Sequence, residues 1–96
     1  MRVLILGGDG YLGWPTAMHF AARGHEVMAV DNYLRRHIAM ETCSEALITT
    51  PNLIDRANVF ESVSGHRVQV RIGDLTEHEF VDEIFREFQP DCVVHY

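Results

Sequence analysis

The chain lacks several features that common functions require. No apolar run approaches the ~18 residues of a membrane span. Because the first predicted strand begins at Arg2, no signal or transit peptide is expected. Cys43 and Cys92 have neither CxxC nor metal-ligand spacing, so we expect reduced thiols in a cytosolic protein. Eight Lys and Arg residues against 14 Asp and Glu residues give a net charge of −6. A nucleic-acid partner is therefore not expected.

The composition is that of an ordinary globular protein, and no catalytic set is visible in it. The 96 residues allow one small domain, 47% hydrophobic and 23% charged, without low-complexity tracts or internal repeats. The sequence contains no Tyr-x-x-x-Lys pair and no Ser/His/Asp arrangement, so we predict no catalytic residue. The six histidines are scattered without the spacing of a metal site, and no metal is predicted.

The most informative segment is a glycine-rich turn after the first apolar run. Gly7-Gly8-Asp9-Gly10-Tyr11-Leu12-Gly13 directly follows Val3-Leu4-Ile5-Leu6, which indicates a buried strand that turns into a helix. Glycine allows the backbone to approach a dinucleotide pyrophosphate, and the unpartnered N–H groups that open the helix can bind this anion. Gly7, Gly10 and Gly13 are therefore predicted to form a phosphate-binding turn. The alternative is a tight turn that binds nothing.

An acidic residue follows the second apolar segment at the position where a ribose-binding acid is typical. Asp31 ends the segment that begins at Val27, about 20 residues after the glycines. A carboxylate there accepts hydrogen bonds from the ribose hydroxyls and repels a 2′-phosphate, which predicts NAD rather than NADP. Arg35 and Arg36 are expected beside the adenine or its ribose, where a guanidinium can stack. The alternatives are a 2′-phosphate contact or two solvated arginines on a helix face.

A second acid, Asp74, follows the third predicted strand at its carboxyl end. Ligands bind at this edge of open α/β sheets, so Asp74 is predicted to accept from the adenine amino group while Leu75 packs on the ring. The alternative is an aspartate that serves the next helix terminus. His95 and Tyr96 end the fourth strand at the same edge, and no role is assigned to them.

The order of apolar segments predicts an α/β fold, a Rossmann-type doubly wound parallel sheet with strands in the order 3-2-1-4. The expected strands are Arg2–Leu6, Glu26–Val30, Arg67–Ile72 and Cys92–His95. A helix over 12–23 capped by Gly24, a short helix over 34–41 and a break at 49–52 are also expected. No helix or further strand is predicted after the fourth strand, although a parallel sheet needs both faces covered and its edges protected. The chain is therefore interpreted as the N-terminal portion of a longer protein.

Two further helices are predicted from their apolar faces. One precedes Gly65 and places Leu53, Ile54, Ala57, Phe60 and Val63 on one face. The other runs over 77–88, with a capping box of Thr76 and Glu79 and a hydrophobic staple of Leu75 and Phe80. Its sheet-facing residues are predicted to be Phe80, Val81, Ile84, Phe85 and Phe88.

Several motifs together resemble a known family. GGDGYLG at 7–13, DN at 31–32, GDL at 73–75 and VVHY at 93–96 resemble the extended short-chain dehydrogenase/reductases, the nucleotide-sugar epimerases and dehydratases. A second set of features is similar to the UDP-sulfoquinovose synthases. It comprises Trp14, the arginines at 35 and 36, and the long segment between Asp31 and Asp74 with Ile54-Asp55-Arg56. The resemblance covers the whole chain. Pro15, where alanine is more usual, is a minor departure.

The resemblance implies an NAD enzyme that acts on UDP-glucose and sulfite through transient oxidation at C4 of the sugar. It places Gly10, Tyr11 and Leu12 at the pyrophosphate and Asp31, Asn32, Arg35 and Arg36 at the adenosine end. The family's catalytic Thr, Tyr and Lys would lie beyond Tyr96, and the full-length enzyme is expected to be a homodimer. The alternatives are another NAD-dependent UDP-sugar 4-epimerase or dehydratase, or a non-catalytic dinucleotide-binding regulator.

Overall fold

The predicted alternation of strands and helices is present in the structure, a computed structural model that describes residues 1–43 and 50–95. Within these ranges each predicted strand or helix for which bounds were expected lies within one residue of them at either end. Thr49 of the predicted break and Tyr96 lie outside the described residues. In chain order the elements are β1 (Arg2–Leu6), α1 (Gly13–Ala22), β2 (Glu26–Asp31), α2 (Leu34–Glu41), α3 (Leu53–Ser64), β3 (Val68–Ile72), α4 (His78–Phe88) and β4 (Cys92–His95).

The strands form one parallel sheet in the order β3-β2-β1-β4. This confirms the predicted Rossmann-type α/β class and strand order. Leu6 of β1 lies opposite Val30 of β2, so the residues that follow these two strands emerge side by side. The N–H groups of Gly7 and Gly8 both donate to the carbonyl oxygen of Val30, at 2.8 and 3.0 Å. The glycine turn is thus attached to the end of β2.

Apolar side chains cover both faces of the sheet. One core packs α1 and α3 against the sheet, and the other packs α4 against the opposite face. This division follows from the alternation of side chains along each strand. The first core contains Val3, Ile5, Trp14, Ala17, Ala21, Val27, Ala29, Leu53, Ala57 and Val68, and the second contains Leu4, Met28, Val30, Ile84 and Phe88.

Helix α3 meets the sheet with a narrower face than predicted. Leu53 and Ala57 are buried, and Phe60 packs edge-on against Trp14 with ring centroids 6.2 Å apart. Ile54 and Val63, however, are 50% and 82% exposed. The apolar face predicted for α3 is therefore only partly buried, because the contact with the sheet is confined to one side and to the N-terminal part of the helix. The N-cap is Asn52, whose side chain accepts from the N–H of Asp55, and Gly65 follows with φ of 77°.

The capping predicted for the start of α4 is wrong. Glu77 is the N-cap and makes no side-chain capping hydrogen bond, so the box of Thr76 and Glu79 does not form. The N–H of Thr76 donates instead to Oδ1 of Asp74, at 2.9 Å. With the helix one residue later, Leu75 no longer occupies the position of the predicted hydrophobic staple.

The sheet-facing side of α4 is largely as predicted. Ile84 and Phe88 are buried, and Phe80 packs against the same core. Val81 is half-buried. Phe85 is 43% exposed, so its predicted place in the core is wrong. It lies one residue beyond Ile84 and is therefore turned away from the line of closest approach to the sheet.

Among the described residues, no helix is both long enough and apolar enough to cross a membrane.

Candidate functional site

The three glycines predicted at the turn are placed where a side chain would interfere. A Cβ atom at position 13 would lie 2.0 Å from the carbonyl oxygen of Gly7, so α1 approaches the end of β1 only because residue 13 is glycine. Gly7 has a φ of 87°, a left-handed conformation that glycine adopts without strain. A Cβ at Gly10 would be 3.2 Å from the same oxygen.

The turn also requires glycine at position 8, which the sequence alone did not indicate. A Cβ there would lie 2.6 Å from the Cβ of Ala29 in β2, and Gly8 itself is buried. The only available signal was its place directly after β1, where the backbone passes over the neighbouring strand. Gly8 therefore shapes the turn by packing against β2.

The start of α1 presents free backbone donors. Within the described chain, the N–H groups of Tyr11, Leu12 and Gly13 make no hydrogen bond, whereas that of Trp14 donates to the carbonyl of Gly10 at 3.2 Å. No side chain caps α1, and its first turn holds no acidic residue. Unsatisfied N–H groups at a helix N-terminus, together with the helix dipole, favour an anion.

The carboxylate of Asp31 organises the end of β2. Oδ2 accepts from the N–H of Asp9 at 2.9 Å, and Oδ1 accepts from the N–H of Tyr33 at 2.8 Å. Asn32 accepts from the N–H of Leu34 at 2.9 Å. Tyr33 is left-handed, with φ of 59°, and caps α2. One carboxylate thus fixes both the glycine turn and the loop that leads into α2.

These residues enclose one cleft of about 640 Å³ at the carboxyl ends of β1 and β2. Seven of the predicted cofactor residues line it, and Asp9 and Leu34 join them. Open α/β sheets bind their ligands at this edge. A second cleft, of about 400 Å³, runs along β3 and contains none of the predicted residues. The predicted residues that line the first cleft are Gly7, Gly10, Tyr11, Leu12, Gly13, Asp31 and Asn32.

Arg36 lies beside the cleft, bound to the chain itself. Four of its five N–H groups donate, two of them to the Asp9 carboxylate at 2.5 and 2.8 Å and two to the carbonyls of Thr50 and Pro51. The hydrogen bonds that Arg36 donates to Asp9 raise the pKa of Arg36 above its ordinary value, and burial opposes this effect. Little donor capacity remains for an adenosine contact.

Asp9 also binds a second arginine that sequence reasoning did not assign to the site. Nη2 of Arg56 donates to Oδ1 of Asp9 at 2.5 Å and to its carbonyl oxygen at 3.1 Å. The guanidinium carbon of Arg56 lies 5.4 Å from the centroid of the Trp14 ring. Asp9 and Arg56 are 47 positions apart, a separation that no local pattern indicates.

The remaining predicted residues lie around the same edge of the sheet. Arg35 is in α2. Asp74 and Leu75 follow β3, and the N–H of Gly73 donates to the carbonyl of Asp31 at 3.0 Å, which joins the ends of β3 and β2. Hydrogen bonds from the backbone and side chain of Thr76 lower the pKa of the exposed Asp74. Asp74 thus serves the turn before α4, and its predicted adenine contact stays a prediction.

In residues 1–43 and 50–95, no three His, Cys, Asp or Glu side chains form a group that could hold a metal ion.

The parallel sheet with a glycine turn facing an acid at the end of β2 defines a Rossmann-type nucleotide-binding class. A model of the NAD dependent epimerase/dehydratase family matches residues 3–96, and the chain belongs to that family. The prediction of NAD is confirmed at the level of the family, which is NAD dependent. Structures similar to this chain were also crystallised with NAD.

Two curated relatives are UDP-sulfoquinovose synthases. The chain is 36% identical over its whole length to the enzyme of Sulfolobus acidocaldarius, of which it covers 24%. It is 35% identical over 99% of its length to the chloroplastic enzyme of Spinacia oleracea, of which it covers 20%. The UDP-glucose 4-epimerase of Drosophila melanogaster is 29% identical over 98% of the chain. The chain thus spans a fifth to a quarter of the length of these relatives.

Solved structures similar to this chain share its fold. A UDP-glucose 4-epimerase from Bifidobacterium longum, in complex with NAD+ and UDP, matches the whole chain with a TM-score of 0.73 at 23% identity. The Bordetella bronchiseptica enzyme WbmG, in complex with NAD and UDP, matches it with a TM-score of 0.64 at 26% identity. The chain covers 24% of each of these structures.

Proposed function

We propose that residues 1–96 are the NAD-binding N-terminal part of a longer enzyme similar to UDP-sulfoquinovose synthases. The observation that carries this proposal is the cleft lined both by the residues with unpartnered N–H groups at the start of α1 and by Asp31. Identities of 35% and 36% to two such synthases, over nearly the whole chain, support the finer assignment. The chain covers only 20% and 24% of the length of those relatives, which supports a longer enzyme.

The cleft fits the two ends of a dinucleotide differently. The free N–H groups of Tyr11, Leu12 and Gly13 suit the pyrophosphate, because an anion can replace their missing partners without any rearrangement of the helix. Asp31 suits the adenosine ribose, because each of its oxygens has accepted only one backbone hydrogen bond and retains accepting capacity. Gly7 and Gly10 leave room for the ligand to approach.

The adenosine end is completed by residues around Asp31. Asn32 lines the cleft beside it, and Arg35, one residue into α2, is assigned to the adenine or its ribose. Asp74 and Leu75 are assigned to the adenine at the end of β3. Arg36 is assigned to the same region. Its effect there is indirect, through Asp9, and one of its N–H groups remains available to a ligand.

In the full-length enzyme, the substrates would be UDP-glucose and sulfite, and the product UDP-sulfoquinovose. Bound NAD would supply reversible hydride acceptance from C4 of the sugar. The part played by this chain is to hold and orient that cofactor. The groups that act on the sugar are assigned to the part of the enzyme beyond Tyr96, and the homodimer and the cytosolic location stay predictions.

A second candidate is a UDP-glucose 4-epimerase. It is favoured by the curated epimerases that match nearly the whole chain at 25% to 29% identity. Both candidates use the same cofactor in the same cleft, so the residues of this chain do not separate them. Their separation depends on whether sulfite is consumed.

The test is an assay of the purified full-length protein with UDP-glucose, with and without sulfite, followed by mass spectrometry. A sulfite-dependent product of the mass of UDP-sulfoquinovose supports the first candidate. Sulfite-independent formation of UDP-galactose, separated by chromatography, supports the second. The 96-residue chain alone should give neither product, and turnover by it would refute the placement of the catalytic groups. Bound NAD without either product in the full-length protein would favour the dinucleotide-binding regulator, and absence of bound NAD would overturn the proposal.

A further inference from the structure

An acidic residue lies within the turn that is proposed to bind a pyrophosphate. The Asp9 side chain is only 8% exposed and sits between glycines whose backbone lines the cleft. An isolated carboxylate at this position would repel the phosphates and would be costly to bury. The turn therefore requires positive charge from elsewhere in the chain.

Two arginines from two different helices supply this charge. Arg36 of α2 and Arg56 of α3 both contact the Asp9 carboxylate at 2.5 Å, and their side chains are 32% and 16% exposed. At neutral pH the cluster Asp9–Arg36–Arg56 carries one negative and two positive charges. The sum over these three side chains is a single positive charge beside the turn. The carboxylate of Asp31, which accepts from the N–H of Asp9 and lines the same cleft, is a separate negative charge.

The same cluster connects the turn to the segment that follows β2. Arg36 also donates to the carbonyls of Thr50 and Pro51, directly before α3. Arg56 reaches back to the carbonyl oxygen of Asp9 and lies over Trp14 in α1. The N–H of Asp9 in turn donates to Asp31. One residue of the glycine turn thus joins β2, α2 and α3.

We propose that Asp9, Arg36 and Arg56 form a cluster that positions the glycine turn and places one net positive charge beside it for the cofactor's pyrophosphate. Arg36 and Arg56 are positioning residues in this role, since they act on the cofactor through Asp9 and through the electric field. The inference rests on the proposed NAD site. It assigns a function to the long segment between β2 and β3, which brings both arginines to the turn.

The cluster makes a specific prediction about net charge. Arg56→Gln lowers the sum from +1 to zero, Asp9→Asn raises it to +2, and the double variant D9N/R56Q restores +1. If the charge balance matters, the double variant should bind NAD better than Arg56→Gln alone, although it contains one more substitution. A cluster that only stabilised the fold would give the opposite order.

The experiment is isothermal titration of the full-length protein and its variants with NAD, in low and high salt. We expect Arg56→Gln to weaken NAD binding about five- to tenfold, the lower range of coupling between sites. D9N/R56Q should recover part of this loss, as should Arg56→Lys, which keeps the charge without the planar fork. The difference between Arg56→Gln and the unchanged protein should shrink in high salt.

The matched control is Arg71→Gln. Arg71 also bridges two carboxylates, Glu83 and Glu87, at 2.9 and 2.6 Å, but it joins β3 to α4 and does not line the cleft at the glycine turn. It should leave NAD affinity unchanged. The inference would be overturned if the two substitutions of the double variant weakened NAD binding additively, or if Arg71→Gln and Arg56→Gln had equal effects on NAD affinity. The proposed NAD site would still stand. Failure of the unchanged protein to bind NAD would overturn both.

Discussion

Asp31 accepts a hydrogen bond from the N–H of Asp9 at 2.9 Å, so the acid at the end of β2 holds the glycine turn after β1. The same carboxylate accepts from the N–H of Tyr33. Asp31 therefore has a structural role in addition to the ribose contact proposed for it. Substitution of this residue changes the shape of the cleft as well as its charge.

Replacement of Asp31 tests the proposed cofactor selectivity. Asp31→Ala in the full-length protein removes the proposed ribose acceptor and the charge expected to repel a 2′-phosphate. We expect weaker NAD binding and a smaller preference for NAD over NADP, measured by calorimetry with both cofactors. Glu26→Ala is the control, since it removes an exposed carboxylate from the other end of β2. Unchanged affinity of Asp31→Ala for both cofactors would exclude the ribose role.

The close approach of α1 to β1 gives a second prediction. Gly13→Ala places a Cβ 2.0 Å from the carbonyl oxygen of Gly7, whereas Gly10→Ala places one at 3.2 Å from the same atom. The first contact requires the backbone to move, and the second requires a shift of a few tenths of an ångström. Gly13→Ala should therefore lower the melting temperature and NAD affinity much more than Gly10→Ala. Equal effects of the two substitutions would contradict this account of the turn.

The class of the fold was predictable because periodic apolar segments and glycine punctuation are local signals. β1 and β4 were predicted at their observed bounds, and the parallel order followed from the alternation with helices. That the predicted residues at 7, 10–13 and 31–32 would line one cleft was predictable for a similar reason. They directly follow strands whose carboxyl ends meet at one edge of the sheet.

The remaining parts depend on contacts between distant residues. The ion pair of Arg56 with Asp9 joins positions 47 apart, and the need for glycine at position 8 depends on Ala29 in the next strand. The helical period placed Val63 and Phe85 on apolar faces but did not indicate how wide the contact with the sheet would be. The predicted capping box does not form because the N–H of Thr76, which the box requires as a donor, donates to the side chain of Asp74 instead.

The narrow contact of α3 gives a third prediction. Leu53 is fully buried and Ile54, its neighbour, is 50% exposed. Leu53→Ala should lower the free energy of unfolding by about 2–5 kcal/mol, since it leaves a cavity in the core. Ile54→Ala, the matched control, should cost less than ~1.5 kcal/mol because only part of that side chain is removed from water. Denaturant titration of the full-length protein measures both values. Comparable losses would place Ile54 in the core.

The turn before α4 gives a prediction about pH. Hydrogen bonds from the N–H and the hydroxyl of Thr76 lower the pKa of Asp74, so its carboxyl should titrate below the ordinary aspartate value of about 3.9. A carboxylate with a lowered pKa stabilises the folded state above the ordinary value, and this contribution is lost as the pH falls through the lowered pKa.

Carbon-13 detection of the Asp74 carboxyl group during an acid titration measures its midpoint directly. Thr76→Ala removes the hydroxyl and should raise the pKa of Asp74, while the remaining N–H bond keeps it below the ordinary value. Thr76→Ser retains the hydroxyl and should leave the midpoint close to that of the unchanged protein. If Thr76→Ala and Thr76→Ser shifted the midpoint equally, the hydroxyl would have no part in lowering the pKa of Asp74.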